Sequence, residues 1–171
     1  MAGMTRTMAA ALIALAGLVP VLAPGTARAE LVDLGFYDGW NVMVDPDVGN
    51  GCLIQSGRDG VSLTRIGYDP GKAEGYIAIF NPDWNKLRRN QSYPLVADLD
   101  GQEFPVTATG LQMGNVHGAG VLFSDVQVYD LIAKSSTLTI RDDAGAALFT
   151  LDLKGTGQAI AAARKCQQEQ G

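Results

Sequence analysis

The chain has a single histidine, His117, which is the side chain best suited to acid–base chemistry near neutral pH. A serine–histidine–carboxylate relay would need a serine and an acid held beside it. Ser92, and Ser124 with Asp125, are candidate partners of His117 in such a relay. No serine of the chain lies in a Gly-x-Ser-x-Gly pattern. A hydrolase using His117 is therefore the least favoured function, and no catalytic residue is assigned.

Asp45, Asp47 and Asn50 lie in a loop whose spacing resembles part of a calcium-binding loop. An EF-hand loop ends in a glutamate at its twelfth position, where this chain has Ser56. Asp, Asn, Gly and Pro are also the residues that turns use, so a hairpin turn is favoured over a weak cation site. No metal site and no cofactor are predicted, because two cysteines and one histidine cannot supply four zinc ligands without carboxylates.

Lys86, Arg88 and Arg89 form a basic cluster in an otherwise acidic chain. In a helical turn, Lys86 and Arg89 would share one side and could contact an anion or a partner. Trp84 and Leu87, also three residues apart, would then point into the core. A short capped turn with its charges in water is the favoured interpretation, because runs of charge usually face solvent.

Cys52 and Cys166 are the two cysteines of the chain, 114 positions apart. In an oxidising compartment such a pair normally forms a disulfide. A redox site is disfavoured because no Cys-x-x-Cys motif is present. We therefore expect a bridge that joins the beginning of the folded domain to its end.

The first thirty residues have the three parts of a secretory signal. Arg6 precedes an apolar run over residues 9–23, and Ala27-Arg28-Ala29 forms a small-x-small cleavage site. The run is short for a membrane span of about 20 apolar residues and contains Pro20. We expect cleavage after Ala29, export to the periplasm or beyond, and a single domain over residues 30–171.

The expected mature chain is acidic. Of the 13 basic residues, Arg6 and Arg28 leave with the signal, so 11 remain against 18 acidic ones and the formal charge is −7. Such a chain is a poor partner for nucleic acid. No second apolar run is long enough to cross a bilayer, so no membrane span is predicted after signal cleavage.

Short apolar or alternating runs separated by turn dipeptides predict a series of strands. These strands cover residues 31–36, 40–44, 52–55, 61–66, 76–80, 93–98, 104–109, 121–123, 137–141 and 147–153. Residues 110–120 are glycine-rich and are expected to be irregular. The fold class is mainly β: an antiparallel β-sandwich or partly open barrel with a late short helix and a C-terminal helix stapled by one disulfide.

The two helices are predicted from caps and periodicity. Ser124 is expected to cap a helix over residues 125–134, and Thr156 a helix over residues 158–167. Ala159, Ala162 and Cys166 share one stripe of the second helix, which would direct Cys166 inward to meet Cys52.

Two stretches carry a resemblance to a known family. One is Gly39-Trp40-Asn41-Val42, followed by Cys52 and Gln55, and the other is residues 151–160, ending at Cys166. With the Trp84 segment, they resemble small secreted proteins of alphaproteobacteria, and among named groups the invasion-associated locus B family. The resemblance implies an envelope-associated, β-rich protein and no catalytic residues. The family usually carries a cysteine shortly after the tryptophan, where this chain has residues 42–44.

The favoured function is therefore non-enzymatic: an exported protein that binds another protein at the cell envelope. An exposed apolar patch or an open sheet edge would indicate it. A small-ligand-binding β-barrel is the first alternative, and a cavity of several hundred cubic ångströms would indicate it. A protease inhibitor is the second, with residues 110–120 as its protruding loop. The sequence is silent on the oligomeric state.

Overall fold

The computed structural model describes residues 30–170 as ten strands, two α-helices and one 3-10 turn. In chain order these are β1 Val32–Tyr37, β2 Trp40–Asp45, the 3-10 turn Pro46–Val48, β3 Gly51–Ser56, β4 Leu63–Asp69, β5 Glu74–Phe80, β6 Ser92–Leu99, β7 Gln102–Met113, β8 Val116–Phe123, α1 Gln127–Lys134, β9 Thr137–Arg141, β10 Ala147–Asp152 and α2 Thr156–Gln170. The signal peptide predicted over residues 1–29 lies outside the described residues. No helix within residues 30–170 is long and apolar enough to cross a bilayer.

The strands form one antiparallel sheet in the order β1-β2-β3-β4-β5-β8-β7-β6-β9-β10. Each strand from β1 to β4 pairs with the next along the chain. Strands β8, β7 and β6 then continue the sheet from β5 in reverse order, followed by β9 and β10. Strands β1 and β10 stand at the two ends of this order and do not pair with each other, so the sheet is not closed. The predicted class, mainly antiparallel β with a late helix and a C-terminal helix, is confirmed.

A shared core shows that the sheet curves back on itself. Trp40 and Ile54, from the first strands, lie in the same buried cluster as Leu138 and Leu151 from the last two. Ile160 of α2 joins this cluster. Trp40 is fully buried, and its indole N–H donates to the Lys154 carbonyl oxygen at 3.0 Å. A buried indole needs such an acceptor, because an unpaired N–H in the core is costly.

The C-terminal helix is attached to the first strands by the predicted disulfide. Cys52 and Cys166 are joined, with their Cα atoms 6.1 Å apart. The backbone N–H of Cys52 also donates to the Gln167 side-chain oxygen at 2.8 Å. Ala159 and Cys166 are both buried, as the predicted helical stripe requires. Gly155, before the helix, has a positive φ of 86° and lies against the Asp38 backbone, where a side chain would clash.

Two local predictions are wrong. Residues 110–120 are not irregular: apart from the turn at Gly114 and Asn115, they belong to β7 and β8, which pair from Thr109–Gly120 to Met113–Val116. They therefore do not form the protruding loop expected of a protease inhibitor. Ser124 does not cap the first helix, which begins at Gln127. The Asp125 carboxylate instead accepts a hydrogen bond from the Gln127 N–H at 2.9 Å.

We predict that replacing both Cys52 and Cys166 by alanine lowers stability markedly. In the chain-entropy model, closing a loop of this length stabilises the fold by about 4–5 kcal/mol. For a domain of this size, that corresponds to a melting temperature lower by about 10 °C or more. Thermal unfolding followed by circular dichroism measures the change. Reductant should lower the melting temperature of the wild type and leave the variant unchanged. Equal melting of the two oxidised proteins would contradict the prediction.

Candidate functional site

A cavity of about 600 Å³ lies against one face of the second half of the sheet. Side chains that alternate along each strand line it, as expected for one face of a pleated sheet. The two central strands contribute Leu95, Ala97 and Leu99 from β6 and Phe104, Val106 and Ala108 from β7. Strands β5, β8 and β9 add further alternating apolar residues, so the walls are almost entirely hydrocarbon.

Small side chains leave the space that the cavity occupies. Ala97, Ala108 and Ala119 lie on the lined face of three strands, β6, β7 and β8, that are neighbours in the sheet. In a packed core such positions are opposed by larger residues that fill the volume. Here the opposite wall is α1, through Val128 and Leu131, and it does not fill the space.

Helix α1 is fixed in place by contacts on its other sides. The Tyr129 hydroxyl donates to the Gly67 carbonyl oxygen at 2.6 Å. Burial raises the pKa of Tyr129 well above its usual range, so the phenol remains a donor. Asp130 pairs with Arg164 of α2 at 2.6 Å. The wall of the cavity therefore depends on α2, which the disulfide holds.

Residues 81–91, here called the lid, cover another side of the cavity. Trp84 and Leu87 are its two half-buried apolar residues, and both line the cavity. The Trp84 ring meets Phe149 edge to face, with ring centroids 5.9 Å apart. The lid backbone forms two successive turns. The Trp84 N–H donates to the Asn81 carbonyl oxygen at 3.1 Å, and the Leu87 N–H donates to the Trp84 carbonyl oxygen at 3.1 Å.

Both ends of the lid are hydrogen-bonded to the sheet. At the first end, the Asn81 N–H donates to the His117 carbonyl at 3.0 Å and the Asn81 amide donates to the Ser62 hydroxyl at 2.8 Å. At the second end, Asn90 and Gln91 exchange backbone hydrogen bonds with Gly110, both at 2.8 Å. The lid is thus an ordered part of the fold.

The basic cluster predicted from the sequence lies on this lid. Lys86, Arg88 and Arg89 are exposed, while Trp84 and Leu87 point inward, in the arrangement expected for a turn with its charges in water. Within residues 30–170, none of the three takes part in an ion pair. Of the three, Lys86 also lines the cavity.

Several lining residues also reach solvent and mark where the cavity opens. Leu122, Leu131 and Leu148 are large apolar residues exposed by 53%, 36% and 48%. Asp83 and Lys86 of the lid are the charged residues among the lining side chains. The opening therefore combines apolar surface with a few charged groups.

His117 lies beside the first end of the lid, where its carbonyl oxygen accepts from the Asn81 N–H at 3.0 Å. It belongs to β8, and its Nδ1 atom is buried without a hydrogen-bond partner in the described part of the chain. Neither Ser124 nor Asp125 bonds to it. The structure therefore does not bring together the groups that the hydrolase alternative requires.

The acidic loop has the geometry of a turn. The Asp45 carboxylate accepts from the Asp47 N–H at 3.0 Å and caps the 3-10 turn. Gly49 and Asn50 both adopt a positive φ, as turn residues do. Among residues 30–170, no group of three or more His, Cys, Asp or Glu side chains is placed to hold a metal ion.

We predict that Gly110→Ala displaces the lid and destabilises the protein by about 1–3 kcal/mol, as other overpacked sites do. A Cβ atom at Gly110 would overlap the Arg88 carbonyl oxygen of the lid. Gly57→Ala is the matched control, because a Cβ there meets only the Ser62 carbonyl at 3.6 Å. Urea unfolding measures the stability, and tryptophan emission reports on the exposure of Trp84. Equal stability of the two variants would contradict this role of Gly110.

Comparison with known proteins identifies a similar fold. No protein-family model matches the chain, and no curated protein matches it. The crystal structure of invasion-associated protein B from Bartonella henselae is similar, with a TM-score of 0.55 over 82% of this chain and 99% of that one. The two sequences are 12% identical, so the similarity concerns the fold alone. The resemblance to the invasion-associated locus B family is thus confirmed as a weak resemblance in fold.

Proposed function

We propose that this chain is an exported, non-enzymatic protein that binds a small, mainly apolar molecule in the cavity between the sheet, α1 and the lid. The observation that carries the proposal is the cavity itself. Its volume of about 600 Å³ lies in the range of about 300–1,000 Å³ of small-molecule sites. Its two charged lining residues, Asp83 and Lys86, are exposed, so they can contact the polar end of a ligand.

The packing of the walls supports this function. Protein interiors are normally filled to the density of organic crystals, because each unfilled space loses dispersion contacts. Three alanines on adjacent strands, opposite a fixed helix, preserve a space that larger residues would fill. The disulfide supports export, since such bridges persist in oxidising compartments.

We predict that straight-chain alcohols bind the protein and that affinity rises with chain length. Each buried methylene contributes about 0.8 kcal/mol, or about a fourfold gain in affinity, until the cavity is filled. Titration calorimetry with a series of alcohols, each below its aggregation limit, measures this dependence. Absence of binding at every length would refute the proposed function.

Cavity-filling variants locate the site. We predict that Ala97→Phe and Ala119→Phe each weaken alcohol binding at least tenfold, because the added ring occupies the ligand's space. Val96→Phe is the control, since Val96 pairs with Pro105 and Arg141 and its side chain lies on the other face of β6. Melting temperatures confirm that each variant is folded. Unchanged binding by both folded filling variants would place the ligand elsewhere.

A second candidate function, binding of another protein at the cell envelope, is favoured by the free edge of β1. Leu34 and Phe36 of this end strand are exposed by 50% and 66%. An unpaired strand edge with apolar side chains can accept a strand from a partner. A bulge between Asp33 and Gly35 interrupts the edge, and such bulges limit indiscriminate pairing.

We predict that Leu34→Asp and Phe36→Asp, combined in one variant, abolish specific capture of an envelope protein by the immobilised domain. Added carboxylates on the edge disfavour pairing with another strand. Val61→Asp is the control, because Val61 is an equally exposed apolar residue outside the strands. Mass spectrometry of the captured proteins gives the comparison. Identical sets from wild type and both variants would count against protein binding through β1.

A further inference from the structure

We propose that the molecule in the cavity carries one negatively charged head group, which Lys86 contacts at the opening; this inference rests on the proposed function. The ligand class is a single apolar chain ending in a carboxylate or a phosphate. Lys86 lies at the boundary that such a molecule would cross, since it lines the cavity and is exposed to solvent.

The charge of the lid differs in sign from that of the whole chain. The full sequence has a formal net charge of −5. Within residues 81–91, Lys86, Arg88 and Arg89 outnumber the one acid, Asp83. The positive charge of the lid favours an anionic head group over a cationic one at the opening. Acidic residues farther away than a Debye length of about 8–10 Å are screened by salt and do not cancel this effect.

The lid cations are also available for a ligand. Elsewhere in the described chain, Arg58, Arg141 and Arg164 are bound to carboxylates of Asp residues. Lys86 has no such partner within residues 30–170, although Asp83 is near it in sequence. A lysine ammonium is a compact point charge with three donors, so it can contact either a carboxylate or a phosphate.

Tyr93 supplies a second polar group in the cavity wall. It lines the cavity opposite Ala108, and its hydroxyl oxygen accepts from the Arg88 N–H at 2.8 Å. Among the described residues, no acceptor binds the hydroxyl hydrogen of Tyr93, so the group retains a donor. A phenol hydrogen and an ammonium are donors of the kind that an anionic head accepts from, whereas a trimethylammonium head can use neither.

Four probes with the same sixteen-carbon chain test the inference: hexadecanoate, hexadecyl phosphate, hexadecanol and hexadecyltrimethylammonium. Calorimetry with the oxidised protein, below the aggregation limit of each probe, gives the affinities. We expect at least one anion to bind about tenfold more tightly than hexadecanol, and the cation to bind most weakly. A hydrogen bond to a charged group accounts for a difference of this size. The stronger of the two anions identifies the head group.

Variants of Lys86 test whether this residue causes the preference for anionic probes. Lys86→Ala should remove most of the advantage of the anions and leave hexadecanol binding within about twofold. Lys86→Glu should reverse the order of anion and cation. Lys134→Ala is the matched control, because Lys134 is an exposed lysine outside the cavity lining with no ion pair in the described chain.

The outcomes separate the two proposals. Equal affinity of wild type for hexadecanol and both anions overturns the inference and leaves the proposed function standing. Equal weakening of all probes by Lys86→Ala also overturns the inference, since Lys86 would then act through the shape of the lid. Failure of all four probes to bind refutes the proposed function and the inference together.

Discussion

The attachment of the C-terminal segment to the first two hairpins is the constraint on which the rest of this fold depends. An open sheet of ten strands has two free ends, and β1 and β10 do not close it by a ladder. The sheet stays open, and three contacts join its first strands to the C-terminal segment: the Cys52–Cys166 bridge, the bond from Cys52 to Gln167 and the bond from the Trp40 indole to Lys154. All three join parts of the chain more than one hundred residues apart, so they bring the ends of the curved sheet around a single core.

The same attachment explains why a cavity exists in one half of the molecule. Helix α2 packs on β2 and β3, and the buried Ala159 with the half-buried Ala162 and Ala163 allows close approach to that half of the sheet. Helix α1 lies beside α2, tied by the pair Asp130–Arg164 and by Thr156, whose hydroxyl lies 3.3 Å from the Ile132 carbonyl oxygen of α1. The short α1 reaches over the other half of the sheet without filling it. The lid, not a third helix, covers the remaining space.

Local patterns predicted much of this fold and little of its site. Strands β6 and β7 agree with the strands predicted over residues 93–98 and 104–109, and the disulfide follows from the expected export of a chain with two cysteines, with the helical stripe directing Cys166 inward. Residues 110–120 were mistaken for a loop because glycine disfavours strands. In the fold, Gly110 and Gly118 lie within strands, and glycine is needed at both positions. A Cβ atom would overlap the Arg88 carbonyl oxygen at Gly110 and the Phe80 ring at Gly118. The cavity had no local signal, since it arises from alanines on three strands that only the sheet order makes neighbours.

The lid combines apolar side chains that line the cavity with charged side chains that face solvent. Its apolar residues, Trp84 and Leu87, contribute to the cavity lining, and its cations remain in water beside the opening. The exposure of Lys86, Arg88 and Arg89 to solvent is therefore compatible with the proposed contact to a ligand. The free edge of β1 belongs to the opposite end of the sheet order from the β6–β9 wall, with α2 packed beside it. Because the two surfaces share no residue, the two proposed binding functions can be tested by separate sets of substitutions.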